Sequence, residues 1–255
     1  MPRRHDRDAG GDAAVLAAKA QLREEVWNAL AAAKVTRFPG AEGRIPNFVG
    51  AERAAERLRS EPAWRGAHTV KANPDSPQWP VRQRTLEDGK TLFMAVPRLA
   101  EDKPFFLLDP ARLTGSPRQA SSIKGASRSA VPVDVAELAP VDLVVAGCVA
   151  VSEDGARLGK GGGFSDLELA IAAEAGLVGP ATLVATTVHE LQVRPAGEIP
   201  TVAHDVHVDL VVTPDRIIEC ARPTGYEAPR LRWAELTEDK VAAIPLLQRL
   251  RATRR

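Results

Sequence analysis

Aromatic residues make up only 4% of this 255-residue chain, and one of them is tyrosine. So few rings leave little surface on which the bases of a nucleic-acid strand could stack, and no nucleic-acid partner is expected. Cysteine is almost as scarce. Cys148 and Cys220 stand in apolar runs with no CxxC or ligand-like spacing, which excludes a disulfide scaffold; they read as small core residues in a reducing compartment. No apolar run approaches membrane-spanning length, and residues 1–12 are charged and contain glycine, unlike a signal peptide. Neither sign of charge dominates: 34 Lys and Arg face 33 Asp and Glu, for a net charge of +1, so neither a polyanion nor a membrane surface is called for. The expectation is a cytoplasmic protein. With 44% hydrophobic residues, the chain is long enough for one large domain or two small ones.

What is present is an alternation of strand-like and helix-like segments. Residues 1–12 read as a disordered tail, with Asp12 as the N-cap of a helix running to about Lys34. Val15, Leu22, Val26 and Leu30 recur there at helical spacing, and Lys19 and Arg23, four apart, share a face. Arg37-Phe38-Pro39-Gly40 ends this helix, and a second helix covers residues 50–59. Strands are expected at residues 68–72, 91–96 and 105–108, with Thr85 and Leu86 on a short helix, and residues 114–131 as a long exposed loop. Residues 141–151 read as one long apolar strand, residues 181–187 and 206–212 as two more, and residues 216–220 as a hairpin partner after Thr213-Pro214-Asp215. Continuous apolar runs mean burial on both faces, so the fold class is α/β, a three-layer arrangement with a mainly parallel sheet. A last helix starts near Thr237, with Pro245 kinking it. The expected organisation is tail (1–12), α/β domain (13–222) and a helical extension (223–255) packed on the same domain.

The most informative stretch is Arg157-Leu158-Gly159-Lys160-Gly161-Gly162-Gly163-Phe164-Ser165-Asp166, set between an apolar strand and a helix-like run. Glycines let successive backbone N–H groups converge on one point, and a following helix start adds partial positive charge. Arg157 and Lys160 add full charges, and Asp166 offers a hard ligand for a divalent cation, a set that suits a nucleoside triphosphate with magnesium. No Ser or Thr follows the lysine, so this is not a P-loop, and the spacing is not GxGxxG. A flexible hairpin loop is the plainer alternative.

This stretch resembles the glycine-rich signature of the 5-formyltetrahydrofolate cyclo-ligases. The segment Glu198-Ile199-Pro200-Thr201-Val202-Ala203-His204-Asp205-Val206-His207-Val208-Asp209 is similar to that family's second signature, and Lys19-x-x-x-Arg23 is a third matching element. The likeness is greatest to a divergent branch, the methenyltetrahydrofolate synthase domain-containing proteins, in Arg44-Ile45-Pro46-Asn47-Phe48-Val49-Gly50-Ala51, Thr85-Leu86-Glu87-x-Gly89-Lys90-Thr91-Leu92 and Gly147-Cys148-Val149-Ala150-Val151. It covers roughly residues 16–250. The resemblance implies a Rossmann-like three-layer fold and a ligase of folate and one-carbon metabolism, which uses ATP and magnesium to close 5-formyltetrahydrofolate to the 5,10-methenyl compound. By the same resemblance, Arg157 and Lys160 are the catalytic cations. Lys19, Arg23, Arg157, Gly159, Lys160, Gly161, Gly162, Gly163 and Phe164 hold the nucleotide, and Asp166 and Asp205 hold the metal. The partner implied is a small-molecule substrate, and the protein a monomer or weak homodimer.

Three places depart from the family pattern. Phe164-Ser165 stands where two tyrosines are usual, Val151-Ser152 where an aspartate is usual, and the proline-rich residues 73–84 replace a folate-side region. Two further readings therefore stay open: ATP chemistry on another heterocyclic cofactor intermediate, with thiamine metabolism as one example, and a non-catalytic ligand-binding protein on the same fold. Elsewhere, His189 stands at a strand end and reads as a structural histidine. His204 and His207 with Asp205 and Asp209 raise a zinc site, which their alternation along a strand disfavours. The basic residues between Arg118 and Arg128 lack aromatic neighbours and read as a solvated loop.

Overall fold

The computed structural model describes residues 4–254 apart from 203, 225, 227 and 228. Its strands are β1 (Thr69–Ala72), β2 (Thr91–Ala95), β3 (Phe105–Leu108), β4 (Val131–Val133), β5 (Leu143–Val145), β6 (Ala150–Ser152), β7 (Arg157–Leu158), β8 (Leu183–Thr187), β9 (Val193–Arg194), β10 (Leu210–Val212) and β11 (Ile217–Glu219). Its helices are α1 (Arg4–Ala32), α2 (Ala51–Arg59), α3 (Pro62–Gly66), α4 (Trp79–Glu87), α5 (Pro117–Ala120), α6 (Ile123–Ser129), α7 (Phe164–Glu174), α8 (Glu238–Ala243) and α9 (Pro245–Thr253).

The large sheet has the order β11-β10-β8-β5-β1-β2-β3-β4. Its five central strands, β10 to β2, are parallel, while β11, β3 and β4 run antiparallel to their neighbours at the two edges. Side chains alternate between two helical layers. Leu143 and Val145 of β5 pack with Leu58 of α2 and Val81 of α4. Val144, between them, packs with Leu169 of α7 and with Val241 and Leu247 of the C-terminal helices. Helices on both faces explain why β1, β5 and β10 are buried at every position. The expected α/β three-layer, mainly parallel fold is what the chain adopts.

A second sheet, β7-β6-β9, lies under α1, where Leu22, Val26 and Leu30 meet Val149, Ala150 and Leu158. This sheet corrects the reading of residues 141–151 as one strand. The chain leaves the large sheet after Val145 and enters the small one at Ala150. At Gly147, between them, a Cβ would stand 2.7 Å from Gln78 Oε1 and 3.0 Å from Ile45 Cγ2, so a side chain does not fit. Unbroken hydrophobicity cannot distinguish one long buried strand from two short ones in different sheets.

Other expectations are corrected in the same way. α1 begins at Arg4, so Asp12 lies inside it and is not its N-cap. Residues 114–131 are not a loop: Ser116 and Ser122 cap α5 and α6, accepting from the N–H groups of Gln119 and Gly125, and Ala120, Ser121 and Ala126 are buried. Serines that suggest a loop by composition are here N-cap residues. Only Leu210–Val212 of the run 206–212 is strand. Pro245 does not kink one helix; it opens α9, directly after α8 capped by Thr237.

Candidate functional site

The glycine turn joins β7 to α7 over the carboxyl end of β1, where parallel sheets carry ligands. Gly163 sits at φ 65° as the residue preceding α7, and Gly161 at φ 105°, both in conformations that favour glycine. Among the described residues, no backbone N–H from residue 160 to residue 166 donates a hydrogen bond. The carbonyls of the turn, by contrast, are held. Arg23 Nε donates to Gly159 O at 2.7 Å, and Lys240 Nζ to Gly162 O at 3.1 Å. With its donors open and its carbonyls tethered, the turn is held in place rather than a loose hairpin.

The turn borders a cavity of about 1030 Å³, into which Arg157, Asp166, Asp205, Tyr226 and Lys240 also face. Arg157 is buried, pairs with Asp166 Oδ1 and donates to Gly147 O at 3.3 Å, while its Nε has no partner. Burial opposes its charge, but the combined pull of Asp166, Cys148 and Asp205 holds the guanidinium above its ordinary pKa. Lys19 pairs with Asp205 Oδ2. The carboxylates are oriented by backbone as well: Val206 N donates to Asp166 Oδ1 at 3.1 Å, and Val202 N to Asp205 Oδ2 at 2.8 Å. Burial lowers the pKa of Arg23 against an upward pull from Asp205. The structure thus brings Lys19, Arg23, Arg157, Gly161, Gly162, Gly163, Asp166 and Asp205 to one region.

No cluster of three or more His, Cys, Asp and Glu forms among the described residues. A magnesium ion here would rest on Asp166 and Asp205 together with phosphate oxygens and water, its usual company in phosphate sites. The residues of the zinc alternative are drawn apart. Asp205 holds Lys19, Asp209 holds Arg222, His204 meets Glu235 at 2.6 Å, and His207 Nε2 donates to Asp154 O. His189 accepts from Leu191 N at 3.2 Å and serves as a cap, and burial lowers its pKa. Arg118 is solvent-exposed, as expected, but lies on α5 and not in a loop, and its guanidinium stacks 4.7 Å from the Trp79 ring centroid.

Lys160 points to the other side of the turn, where it reaches Asp75 Oδ1 at 3.5 Å. Here the proline-rich residues 73–84 are tied to the glycine turn. Asn73 Nδ2 donates to Ser165 Oγ at 3.1 Å, and Lys71 Nζ donates to Glu168 Oε2 at 2.8 Å. Arg82, fully buried, holds the carbonyls of Asn73 and Asp75, and burial pushes its pKa down to about 10. Sequence reading missed Lys71, Asn73, Asp75, Asp154, Glu168 and Lys240. A signal existed for two of them, because Lys71 and Glu168 are lone charges inside apolar strand and helix runs.

Burial raises the Glu168 carboxyl pKa above 4.5, against the opposing pull of Lys71. A raised folded-state value favours the protonated form in the folded protein. Stability from this group is therefore fully present below its unfolded value and declines as pH rises from about 4.5 through the folded value. Glu168→Gln is expected to flatten that part of the profile in urea denaturations run across the range. Parallel curves for parent and variant would show that Glu168 does not titrate as described.

Comparison with known proteins bears on the family and the fold. The model of the 5-formyltetrahydrofolate cyclo-ligase family matches residues 15–214. The methenyltetrahydrofolate synthase domain-containing protein of Bos taurus is 37% identical over 238 residues, covering 91% of this chain and 62% of the relative. Its Mus musculus counterpart is 38% identical over 239 residues, covering 91% and 63%. The chain thus spans somewhat less than two thirds of the length of these relatives. Among solved structures, the Aquifex aeolicus 5,10-methenyltetrahydrofolate synthetase shares the fold, with a TM-score of 0.51 at 21% identity, over 86% of this chain and 99% of that one.

Proposed function

This chain belongs to the 5-formyltetrahydrofolate cyclo-ligase family, and on that premise we propose that it is an ATP- and magnesium-dependent ligase converting 5-formyltetrahydrofolate to 5,10-methenyltetrahydrofolate. The observation that carries this reading is the row of N–H groups at residues 160–166 that have no partner among the described residues, open beside a cavity flanked by Lys19, Arg23 and Arg157. Such a row is an anion site waiting for phosphate.

In the reaction, the γ-phosphoryl group of ATP passes to the formyl oxygen and leaves ADP, a neighbouring amine nitrogen outside the pterin ring attacks the formyl carbon to close the new ring and gives up its proton, and phosphate leaves. Phosphoryl transfer asks a protein for positioning and charge neutralisation rather than a covalent nucleophile. Arg157 supplies a cation that stays charged, because Asp166 stabilises it within the protein interior. Lys19 and Arg23 add charge from α1, and Lys160, at the half-exposed edge of the turn, is free to swing from Asp75 to an incoming phosphate. Asp166 and Asp205 are the carboxylates available to magnesium, which when bound would neutralise phosphate oxygens.

A second reading keeps ATP and changes the heterocycle. Its support is the Asn73–Ser165 hydrogen bond, which places two small polar groups where the family pattern has tyrosine and a folate-side region. ATP consumption by the purified protein, tested with 5-formyltetrahydrofolate and with thiamine-related heterocycles, separates the readings. Consumption only with another heterocycle overturns the folate assignment, and MgATP binding without consumption overturns catalysis.

MgATP is expected to raise the melting temperature. A ligand at about 100 times its Kd adds about 2.7 kcal/mol to stability, worth roughly 5–10 °C for a domain of this size. A thermal scan with no shift at millimolar MgATP would overturn the nucleotide assignment.

A further inference from the structure

Lys240 lies on α8, outside the 15–214 stretch that carries the family pattern, yet it reaches the centre of the glycine turn. Its ammonium donates to Gly162 O at 3.1 Å and stands 5.4 Å from the centroid of the Phe164 ring. Burial lowers its pKa, and Asp166 draws it back up, so the ammonium sits in the field of the site's own carboxylate.

The choice of carbonyl matters. Gly162 O is four residues before Asp166, the acceptor that the Asp166 N–H would take if α7 were wound one residue further back. Instead the first bond of that kind is Leu167 N to Gly163 O at 3.1 Å, and Gly162 O is left to Lys240. A trans peptide also sets its C=O and the following N–H in opposite directions, so an ammonium that fixes Gly162 O fixes the direction of the Gly163 N–H. Arg23 does the same three residues earlier, at Gly159 O. Two cations from opposite ends of the chain thus set the peptide planes of one turn.

We infer that Lys240 is a positioning residue of the nucleotide site, holding the Gly162 carbonyl so that the N–H groups of Gly163 and Asp166 stay open to an incoming polyphosphate. This rests on the ATP reading above. It makes the C-terminal segment, which also lends Tyr226 to the cavity wall, a working part of the site.

The test is calorimetric titration of MgATP into the parent, Lys240→Met and Lys240→Arg, with the ligand-free melting temperature recorded for each. Methionine keeps the length and the apolar contact with Phe164 but has no donor, whereas arginine keeps the donor and the charge. The expected result is a loss of about tenfold or more in MgATP affinity for Lys240→Met, an unchanged ligand-free melting temperature, and recovery of most of the affinity in Lys240→Arg. Equal MgATP affinity in the parent and Lys240→Met overturns the proposal and leaves the ATP reading standing. So does a fall in affinity that arginine does not restore or that comes with a lower ligand-free melting temperature, the pattern of a merely structural lysine. A parent that binds no MgATP overturns both.

Discussion

Arg157→Met is expected to lower turnover with ATP by two to three orders of magnitude and to destabilise the fold by about 3–5 kcal/mol. Two separate losses combine in this substitution. The first is electrostatic: Arg157 is the buried cation beside the open N–H groups, and removing such a preorganised charge costs most where charge develops during phosphoryl transfer. The second concerns the partner left behind. Asp166 has a side chain only 15% exposed and would be left with the Val206 N–H as its remaining hydrogen bond. An uncompensated carboxylate in such a place is expensive. The double variant Arg157→Met/Asp166→Asn separates the two, because it removes both charges. It is expected to regain most of the stability in urea denaturation while turnover stays low. Recovery of turnover along with stability would show that Arg157 serves the fold alone.

The second large effect is expected at Lys71. Its ammonium and the Glu168 carboxylate lie 2.8 Å apart with side chains 2% and 5% exposed, which makes this the most enclosed ion pair of the site region. Lys71→Met leaves Glu168 buried without its cation and is expected to cost about 3–5 kcal/mol, a fall of roughly 10 °C in Tm for a domain of this size. Changing both partners, in Lys71→Met/Glu168→Met, replaces a desolvated pair by apolar side chains of similar length. That variant should recover most or all of the loss, as buried pairs often do when replaced together. A Lys71→Met protein whose Tm stays within about 1 °C of the parent would mean that the pair carries no net stability. The same measurement informs the site, since Asn73 accepts from Lys71 Nζ at 3.4 Å and donates to Ser165.

Much of the site was legible without coordinates. Glycines at 161–163 beside Arg157, Lys160 and Asp166, between a strand and a helix, suggest an anion cradle, because only glycine lets successive backbone N–H groups adopt the φ, ψ values that converge on one point. Helical spacing likewise put Lys19 and Arg23 on one face of α1, and the apolar runs at β5, β8 and β10 required a sheet covered on both sides. These are short-range consequences of residue type and order, and a single chain carries them in full.

Tertiary structure decided the rest, wherever the deciding contact joins residues far apart in sequence. Whether residues 141–151 make one strand or two depends on Gln78 and Ile45 crowding Gly147, and neither lies in the run itself. The partners of Asp205 and Glu168 are likewise remote from any local pattern: Asp205 is matched to Lys19 by the packing of α1 on the small sheet, and Glu168 to Lys71 by the packing of α7 on β1. Lys240 is the clearest case. It is one basic residue among many in the chain, with nothing in its neighbourhood to mark it, until the fold of α8 brings its ammonium onto Gly162 O. Local rules fix backbone geometry over a few residues; which distant charge fills or flanks that geometry is set only when the layers close.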